Sequence, residues 1–239
     1  MSAVREPQAP TIRERYRAQV RHEAKQAALA QLAQAGPEGV SISAIGKQLG
    51  VSGPALYRYF ASRDELLTEL VIDAYHDLAD ALAAAGHGPG HGPGHGPGPG
   101  SGPRGRLEAI ARAYRSWALA QPHRYRLLFG PPLPGYDAHA QRLVDAAQQA
   151  MDLLLGILGD LGDRTAAPAP QPLASQLASW AQRPDPGDGP QADPVTALTA
   201  VLIWSRLHGI VSLEIAGNFA SMGVDPGQVF EAQLATLTA

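Results

Sequence analysis

The chain has 239 residues, a formal net charge of -3, no cysteine and 45% hydrophobic residues. This length and apolar content suffice for a buried core, and the lack of cysteine excludes disulfides, thiolate zinc sites and cysteine redox sensing. The N-terminus has no apolar signal core and the longest apolar run, 197–204, is too short to span a bilayer. We therefore expect a cytoplasmic protein without membrane segments.

Charge is distributed unevenly along the chain. Residues 1–63 contain nine Lys or Arg and four Glu. This part therefore carries +5, and the remainder carries -8. Because a basic patch is the electrostatic footprint of a phosphate-binding surface, the N-terminal part is predicted to meet nucleic acid. The alternative is a random unevenness among solvated charges.

Helix signals begin after a tail, residues 1–10, that has two prolines and no periodicity. The segment T-I-R-E at Thr11 predicts a capping box, and Gly36-Pro37 predicts the end of this first helix near residue 35. Ser41 is the predicted N-cap of a short second helix, which buries Ile42, Ile45 and Leu49. Gly50 ends that helix.

A third helix of about two turns is predicted from Ser52, with Pro54 in its first turn, where a missing N–H is tolerated. Ser62 and Glu65 form a second capping-box pattern, which opens a long fourth helix to about residue 85. The apolar positions of the fourth helix recur at helical spacing: Leu66, Leu67, Leu70, Ala74, Leu78 and Leu82.

Residues 86–103 consist of Gly, Pro, His and Ser, a composition that predicts a flexible linker. His87, His91 and His95 recur at a spacing known from metal-binding tracts, but no carboxylate lies among them. We expect any metal binding there to be adventitious, and we predict no metal site and no cofactor.

Five further segments have helical patterns: 107–121, the short HRYRLLFG, 137–161, 173–182 and 194–219. Asp225-Pro226 opens a last helix, and 183–192 is predicted to be a flexible loop. No useful strand pattern occurs. The predicted fold is therefore all-α, with a three-helix helix-turn-helix domain at 11–63 and a C-terminal helical bundle at 64–239.

The third helix has two contrasting faces. If Leu56 points inward at about 100° per residue, Phe60 also points inward, whereas Pro54 and Arg58 point outward. This slim outward face fits the major groove, where an arginine fork can pair with guanine. Hydroxyls at Ser41, Ser52, Tyr57 and Tyr59 suit phosphate oxygens.

The stretch VSISAIGKQLGVSGPALYRYFASRDELLTEL resembles the DNA-binding segment of TetR/AcrR regulators, notably in the pattern G-V-S-x-x-x-L-Y-x-Y-F-x-S-[KR]-x-x-L. The resemblance covers about residues 12–75. It implies a homodimer that binds a palindromic operator in double-stranded DNA and dissociates from it when a small molecule binds in its C-terminal domain. A repressor is the favoured interpretation, and an activator is left open as the alternative.

The resemblance also implies roles for individual residues. Tyr57, Tyr59 and Arg63 would touch phosphates. Base-reading positions would be occupied by Ser43, Ala55 and Arg58. Ala55 departs from the longer polar residue that many relatives carry, so base reading would depend on Arg58 and on a thymine-methyl contact from the alanine.

The helix at 194–219 has two stripes. Small residues at Ser205, Gly209, Ser212 and Ala216 would let a helix of a second subunit come close. The neighbouring stripe contains Trp204 and His208, which could line a cavity. Trp204-x-x-x-His208-Gly209, with QPHRYRLLFG before it, resembles the W-H-G motif of one C-terminal subclass of the same family.

Candidate effector-binding residues are aromatic or adjacent to such a cavity: Tyr114, Trp117, Phe129, Met151, Trp204 and His208. Each could equally be an ordinary core residue. Glu214 is either a ligand anchor or a solvated edge residue, and the edge is favoured.

Three other functions are alternatives to a ligand-controlled regulator. An enzyme is disfavoured because the sequence has no zinc spacing, nucleophile elbow, phosphate loop or tight carboxylate pair. An architectural DNA-binding protein would lack an effector. A metal sensor would act through the histidine tract.

Overall fold

The computed structural model describes residues 11–87, 102–130, 140–162, 170–181 and 192–237. Within these ranges every regular element is helical, as predicted, and there is no strand. The predicted N-terminal tail lies outside the described residues, as do His91, His95, most of the predicted linker and most of the loop at 183–192.

The four N-terminal helices are α1 (Ile12–Ala35), α2 (Ile42–Gln48), α3 (Gly53–Leu56) and α4 (Arg63–His87). The later helices are α5 (Pro103–Ala120), α6 (Pro122–Phe129), α7 (Gln141–Leu161), α8 (Leu173–Ala181), α9 (Pro194–Ile215), α10 (Asn218–Ser221) and α11 (Pro226–Leu237).

The chain divides into two compact units inside α4, between Val71 and Ile72. The N-terminal unit also includes Phe129, at the end of α6. The sequence places the domain boundary two turns earlier, at 63/64, where α4 begins. In the structure α4 is one continuous helix whose first nine residues belong to the N-terminal unit.

The N-terminal unit is built as its caps predict. Thr11 and Glu14 form the expected capping box, with Glu14 N donating to Thr11 Oγ1 at 3.2 Å and Thr11 N donating to Glu14 Oε2 at 2.7 Å. Ser41 caps α2 by accepting from Ala44 N. The core of this unit consists of fully buried side chains, among them Ala24, Ala28, Ile45, Leu56, Phe60, Leu66 and Leu67.

Helix α9 is central to the C-terminal unit, because α5, α7, α8, α10 and α11 all pack on it. The buried side chains include Leu107, Leu155, Ile157, Val211, Phe230 and Leu234. Asp193 caps α9 as predicted, with its carboxylate accepting from Val195 N at 2.9 Å and Thr196 N at 3.3 Å.

Several helix ends differ from the sequence predictions. Helix α4 extends through Gly86 to His87, and α5 begins at Pro103, so the predicted linker is shorter at both ends. Gly86 allows close packing of α4 against Ile110, because a Cβ at position 86 would lie only 3.3 Å from the Ile110 side chain. Helix α7 begins at Gln141 rather than at 137, a position outside the described residues.

The predicted helix at 194–219 is in fact two helices. Helix α9 ends at Ile215, and Gly217 adopts a left-handed conformation with φ 77°, which a residue with a side chain rarely adopts. The single-turn α10 follows and buries Phe219. The apolar pattern continues across Gly217, so it did not predict the turn at this glycine.

Helix α9 is long and apolar enough to cross a membrane by length and composition, with a mean hydropathy of 1.4. This differs from the expectation based on the shorter run 197–204. Only 28% of its apolar window is buried. Its contacts with five neighbouring helices are those of a bundle helix with one uncovered face.

Candidate nucleic-acid interface and aromatic cluster

The segment from Ser52 to Phe60 has the orientation expected from its periodicity. Leu56 and Phe60 are fully buried, whereas Arg58 and Pro54 are exposed. Tyr57 is 49% exposed. The side chains available to a partner on this face are therefore a guanidinium, a phenol and a small imino acid.

Helix α3 is shorter than predicted. Its α-helical part covers only Gly53–Leu56, with Ser52 Oγ accepting from Ala55 N at 3.3 Å. Hydrogen bonds of turn type then continue the helical course of the backbone, from Arg58 N to Ala55 O at 3.2 Å and from Phe60 N to Leu56 O at 3.2 Å. Arg58 and Tyr57 thus lie in a tight turn that continues the helix.

Arg21 of α1 fixes the end of this turn. Its Nη1 donates to Tyr59 O at 2.8 Å, its Nη2 pairs with Glu69 of α4, and its guanidinium lies 4.9 Å from the centre of the Phe60 ring. Lys25, one turn later in α1, lies 3.0 Å from the same Glu69 carboxylate. Sequence reasoning missed this clamp, although two cations at i, i+4 on α1 were a signal for it.

Arg63 has a structural role that the sequence did not predict. Its Nε donates to Val40 O at 3.1 Å and its Nη2 to Pro37 O at 2.6 Å, which ties α4 to the 3-10 turn Pro37–Gly39 before α2. The side chain is 39% exposed. The other predicted hydroxyl contacts, Ser41, Ser43 and Ser52, are exposed, whereas Tyr59 and Ala55 are half-buried.

In the C-terminal unit an aromatic cluster surrounds His208 of α9. Its Nδ1 lies 3.0 Å from Tyr125 Oη and 3.3 Å from Tyr114 Oη. Its ring stacks on Trp204 at 5.4 Å and on Tyr125 at 5.7 Å between ring centres. The structure thus brings together three predicted residues, Tyr114, Trp204 and His208, with Tyr125 of α6, which the sequence analysis did not select.

Burial sets the protonation states in this cluster. Burial lowers the pKa of His208 and raises the pKa of both Tyr114 and Tyr125. All three groups are therefore held in their neutral forms at neutral pH, which suits a site for an uncharged or weakly polar group.

The remaining predicted cluster residues lie elsewhere. Trp117 is buried, and its Nε1 donates to Asp77 Oδ2 at 2.8 Å, so its polar atom serves the link to α4. Phe129 groups with the N-terminal unit. Met151 is half-buried in α7.

Asp77 of α4 accepts three hydrogen bonds on one oxygen. Besides Trp117 Nε1, the donors are Gln121 Nε2 at 2.8 Å and Arg124 Nη1 at 2.7 Å. These donors come from the end of α5 and from α6. A single carboxylate therefore holds α4 to two helices that also carry Tyr114 and Tyr125 of the aromatic cluster.

Glu214 is not a solvated edge residue. Its carboxylate forms a two-point ion pair with Arg115, at 2.8 Å and 2.6 Å, and its side chain is only 10% exposed. Arg115 also lies over the Phe230 ring at 5.3 Å. The favoured edge assignment was wrong because a basic residue 99 positions earlier in the sequence pairs with it.

The small-residue stripe of α9 is only partly outward. Ser205 and Ala216 are exposed and Gly209 is half-buried, but Ser212 is a hydrogen-bond partner of Tyr125. Ser212 therefore belongs with the aromatic cluster. Leu202 and Leu213, at 41% and 44% exposure, are the large apolar residues on the outward face.

No group of three or more potential metal ligands occurs within the described residues. His87 is the one member of the histidine tract in those ranges, and its Nδ1 lies 2.5 Å from Ala83 O of the preceding helical turn.

Comparison with known families identifies both units. The model of the "Bacterial regulatory proteins, tetR family" matches residues 26–70. The model of the "Tetracyclin repressor-like, C-terminal domain" matches residues 107–237, more than half of the chain. The chain belongs to the TetR family of transcriptional regulators. TetR-family members are DNA-binding regulators rather than enzymes.

Individual relatives agree with this assignment. An HTH-type transcriptional regulator of Mycobacterium tuberculosis is 36% identical over 216 residues, which is 87% of this chain and 86% of that protein. The crystal structure of the regulatory protein SCO4313 superposes with a TM-score of 0.73 at 41% identity, covering 95% of this TetR-family chain and 98% of that one.

A more distant neighbour shares the fold alone. FadR of Bacillus subtilis, solved in complex with stearoyl-CoA, superposes with a TM-score of 0.58 at 13% identity, covering 91% of the TetR-family chain and 97% of its own.

Replacing Asp77 by Ala should destabilise the TetR-family chain by about 1–3 kcal/mol, because the buried Trp117 N–H and two further donors lose their acceptor. The free energy of unfolding from urea titration would measure this. Asp80→Ala, on an exposed position of the same helix, is the matched control and should change stability by less than about 0.5 kcal/mol. Equal effects of the two variants would contradict the role given to Asp77.

Proposed function

We propose that the protein is a cytoplasmic homodimeric repressor that binds a palindromic operator and is released by a small, largely apolar effector. The observation that carries this proposal is the outward position of Tyr57 and Arg58, with Leu56 and Phe60 fully buried behind them. An exposed cation and phenol on a turn that is held rigidly from behind are what a groove-binding segment requires.

In the proposed complex the outward face enters the major groove. Arg58 pairs with guanine O6 and N7, while the half-buried Ala55 contacts a thymine methyl group. Ser43, exposed on α2, occupies a second base-reading position. The phosphate contacts come from the remaining polar groups on this side: Ser41, Ser52, Tyr57, Tyr59 and Arg63.

Arg63 can serve both roles. Two of its nitrogens already donate to backbone carbonyls, and its side chain keeps 39% exposure. Its third nitrogen, Nη1, lies 3.7 Å from Asp64 Oδ1. Because a guanidinium has five N–H donors, some of them remain for a phosphate. A phosphate bound there would also be held next to the exposed start of α4.

The effector site is proposed at the cluster around His208. Stacked aromatic rings supply apolar contact area, and the phenols and imidazole supply a few convergent polar groups, the composition of small-molecule sites. The distant FadR, which shares this fold, was solved in complex with stearoyl-CoA; for this chain the proposed site rests on its own residues.

We propose that Asp77 couples effector binding in the C-terminal unit to DNA binding by the N-terminal unit. The donors to Asp77 lie on α5 and α6, the helices that carry Tyr114 and Tyr125. An effector that displaces these tyrosines would shift the donors, and α4 with them. Since α4 begins with Arg63, its displacement changes the spacing of the two recognition segments, which must match successive major grooves about 34–36 Å apart.

The dimer contact is proposed on the outward face of α9. Gly209 lies in mid-helix, where glycine costs about 0.5–1 kcal/mol relative to alanine. A Cβ at Gly209 would meet no atom of this chain within 4 Å. The described packing therefore gives no reason for this glycine, and a close helix of a second copy does.

The face is also self-complementary. Leu202 and Ala216 lie seven residues before and after Gly209, and Ser205 and Leu213 lie four residues before and after it. Two antiparallel helices that cross at Gly209 place Leu202 opposite the partner's Ala216 and Ser205 opposite the partner's Leu213. Such pairing of large with small residues is what a twofold contact needs.

An architectural DNA-binding protein without effector is the alternative. It would need the same outward face of the N-terminal unit but no ligand at His208. The buried polar cluster, which a core without ligand does not require, favours the effector-controlled regulator.

Arg58→Ala should weaken operator binding by about 1–3 kcal/mol and relax specificity at one base pair, because a bidentate base contact is lost. Tyr57→Phe should weaken binding to all sequences alike, because it removes a phosphate contact only. Gel shifts over a series of operator variants, chosen by genomic footprinting, would measure both. Identical patterns for the two variants would contradict the assignment.

A small apolar compound that binds at His208 should raise the melting temperature. At a concentration of 100 times its dissociation constant it should increase the free energy of unfolding by about 2.7 kcal/mol. Screening by thermal shift would find it. His208→Phe should abolish the shift, because it removes the polar handle, whereas His76→Phe, at an exposed position, should keep it. A compound that shifts melting but leaves operator affinity unchanged would contradict the coupling.

Gly209→Leu should weaken dimerisation by about 10- to 100-fold, because an inserted side chain at a close crossing costs about 1–3 kcal/mol. Sedimentation equilibrium would measure the dissociation constant. Gly159→Leu is the matched control, since a Cβ there also meets open space and the residue is exposed on α7. A dimer that tolerates Gly209→Leu as well as the control would place the contact elsewhere.

A further inference from the structure

The first two turns of α1 extend beyond the core of the N-terminal unit. Every residue from Thr11 to Gln19 is exposed, and the first buried residue of the helix is Val20. Ile12 is 79% exposed and Tyr16 is 61% exposed. The helix is nevertheless well formed there, because the Thr11–Glu14 capping box closes its end.

This projecting part is strongly basic. It carries Arg13, Arg15 and Arg17, and none of them forms a hydrogen bond or ion pair with another described residue. Its only acid, Glu14, accepts from the Thr11 backbone and hydroxyl, and these bonds lower the pKa of Glu14. The segment thus offers three guanidinium groups that have no partner among the described residues.

Two of the arginines point to the side of the proposed recognition segment. On a helix at about 100° per residue, Arg13 and Arg17 lie within about 80° of Arg21, whereas Arg15 lies on the opposite side. Arg21 donates to Tyr59 O, at the end of the recognition turn. At about 1.5 Å per residue, Arg17 is about 6 Å and Arg13 about 12 Å further along the axis.

We infer that Arg13 and Arg17 form a second DNA-binding surface that holds backbone phosphates beside the segment contacted by the recognition turn. The partner is a duplex because Arg13 and Arg17 are exposed cations with no partner among the described residues, and the one acid of this stretch, Glu14, already accepts hydrogen bonds from Thr11. A second copy of the chain would bring a like-charged stripe to the same place. This inference rests on DNA binding by the N-terminal unit, and not on which bases are read.

The salt dependence of DNA binding tests this surface without knowledge of the operator. The affinity for duplex DNA falls as salt rises, and each phosphate that the protein neutralises adds about 0.9 to the magnitude of the slope of log affinity against log salt concentration. Full-length wild type and variants would be titrated with a mixed-sequence duplex of about 40 base pairs between about 50 and 200 mM salt. Because each substitution is present in both subunits of the proposed dimer, Arg13→Gln and Arg17→Gln should each reduce the magnitude of the slope by about 1.8, and the double variant by about 3.6.

Arg15→Gln is the matched control, because it removes the same charge from the same two turns on the other side of the helix. It should change the slope by much less. Glutamine has a helix propensity close to that of arginine, so circular dichroism and melting temperature should stay unchanged for all variants.

Three results would overturn the inference. Equal slope changes for Arg15→Gln and Arg17→Gln would indicate a general charge effect, and unchanged slopes would indicate no contact. A change in sedimentation without a change in slope would assign the surface to a second copy of the chain. Absence of duplex binding by the wild type would instead contradict the proposed function itself.

Discussion

The proposed DNA-binding face depends on the contacts that Arg21 makes behind it. A turn as short as Gly53–Phe60 has too few internal hydrogen bonds to be stable alone, and its apolar side consists of two residues, Leu56 and Phe60. Arg21 binds the Tyr59 carbonyl, lies over the Phe60 ring and pairs with Glu69. One side chain thus joins α1, the turn and α4, which leaves Arg58 and Tyr57 outward.

A similar arrangement recurs in the C-terminal unit. Asp77 gathers donors from α5 and α6 on one oxygen, and the Arg115–Glu214 pair joins α5 to α9. Because these polar contacts are partly buried, each has few alternative partners, and a change in one helix is passed to its neighbour. The neutral cluster of Tyr114, Tyr125 and His208 lies among the same helices, where a ligand would perturb them.

Two surfaces of the chain have no explanation in its own described packing. The outward face of α9 carries exposed leucines on either side of Gly209, where an added Cβ would meet no atom within 4 Å, and the start of α1 carries arginines with no partner among the described residues. The first is apolar and self-complementary, which suits a second copy. The second is cationic, which suits a polyanion. Their different chemistry assigns them to different partners of one regulator.

The sequence by itself determined the helical class, the caps at Thr11, Ser41 and Asp193, and the inward position of Leu56, because these depend on local spacing and on hydrogen bonds a few residues apart. It also carried the family motif. Tertiary structure alone decided the partners of long polar side chains. Glu214 meets Arg115 and Trp117 meets Asp77 across 99 and 40 positions, and no local pattern encodes such pairs, since only the packing of helices brings them within hydrogen-bond distance.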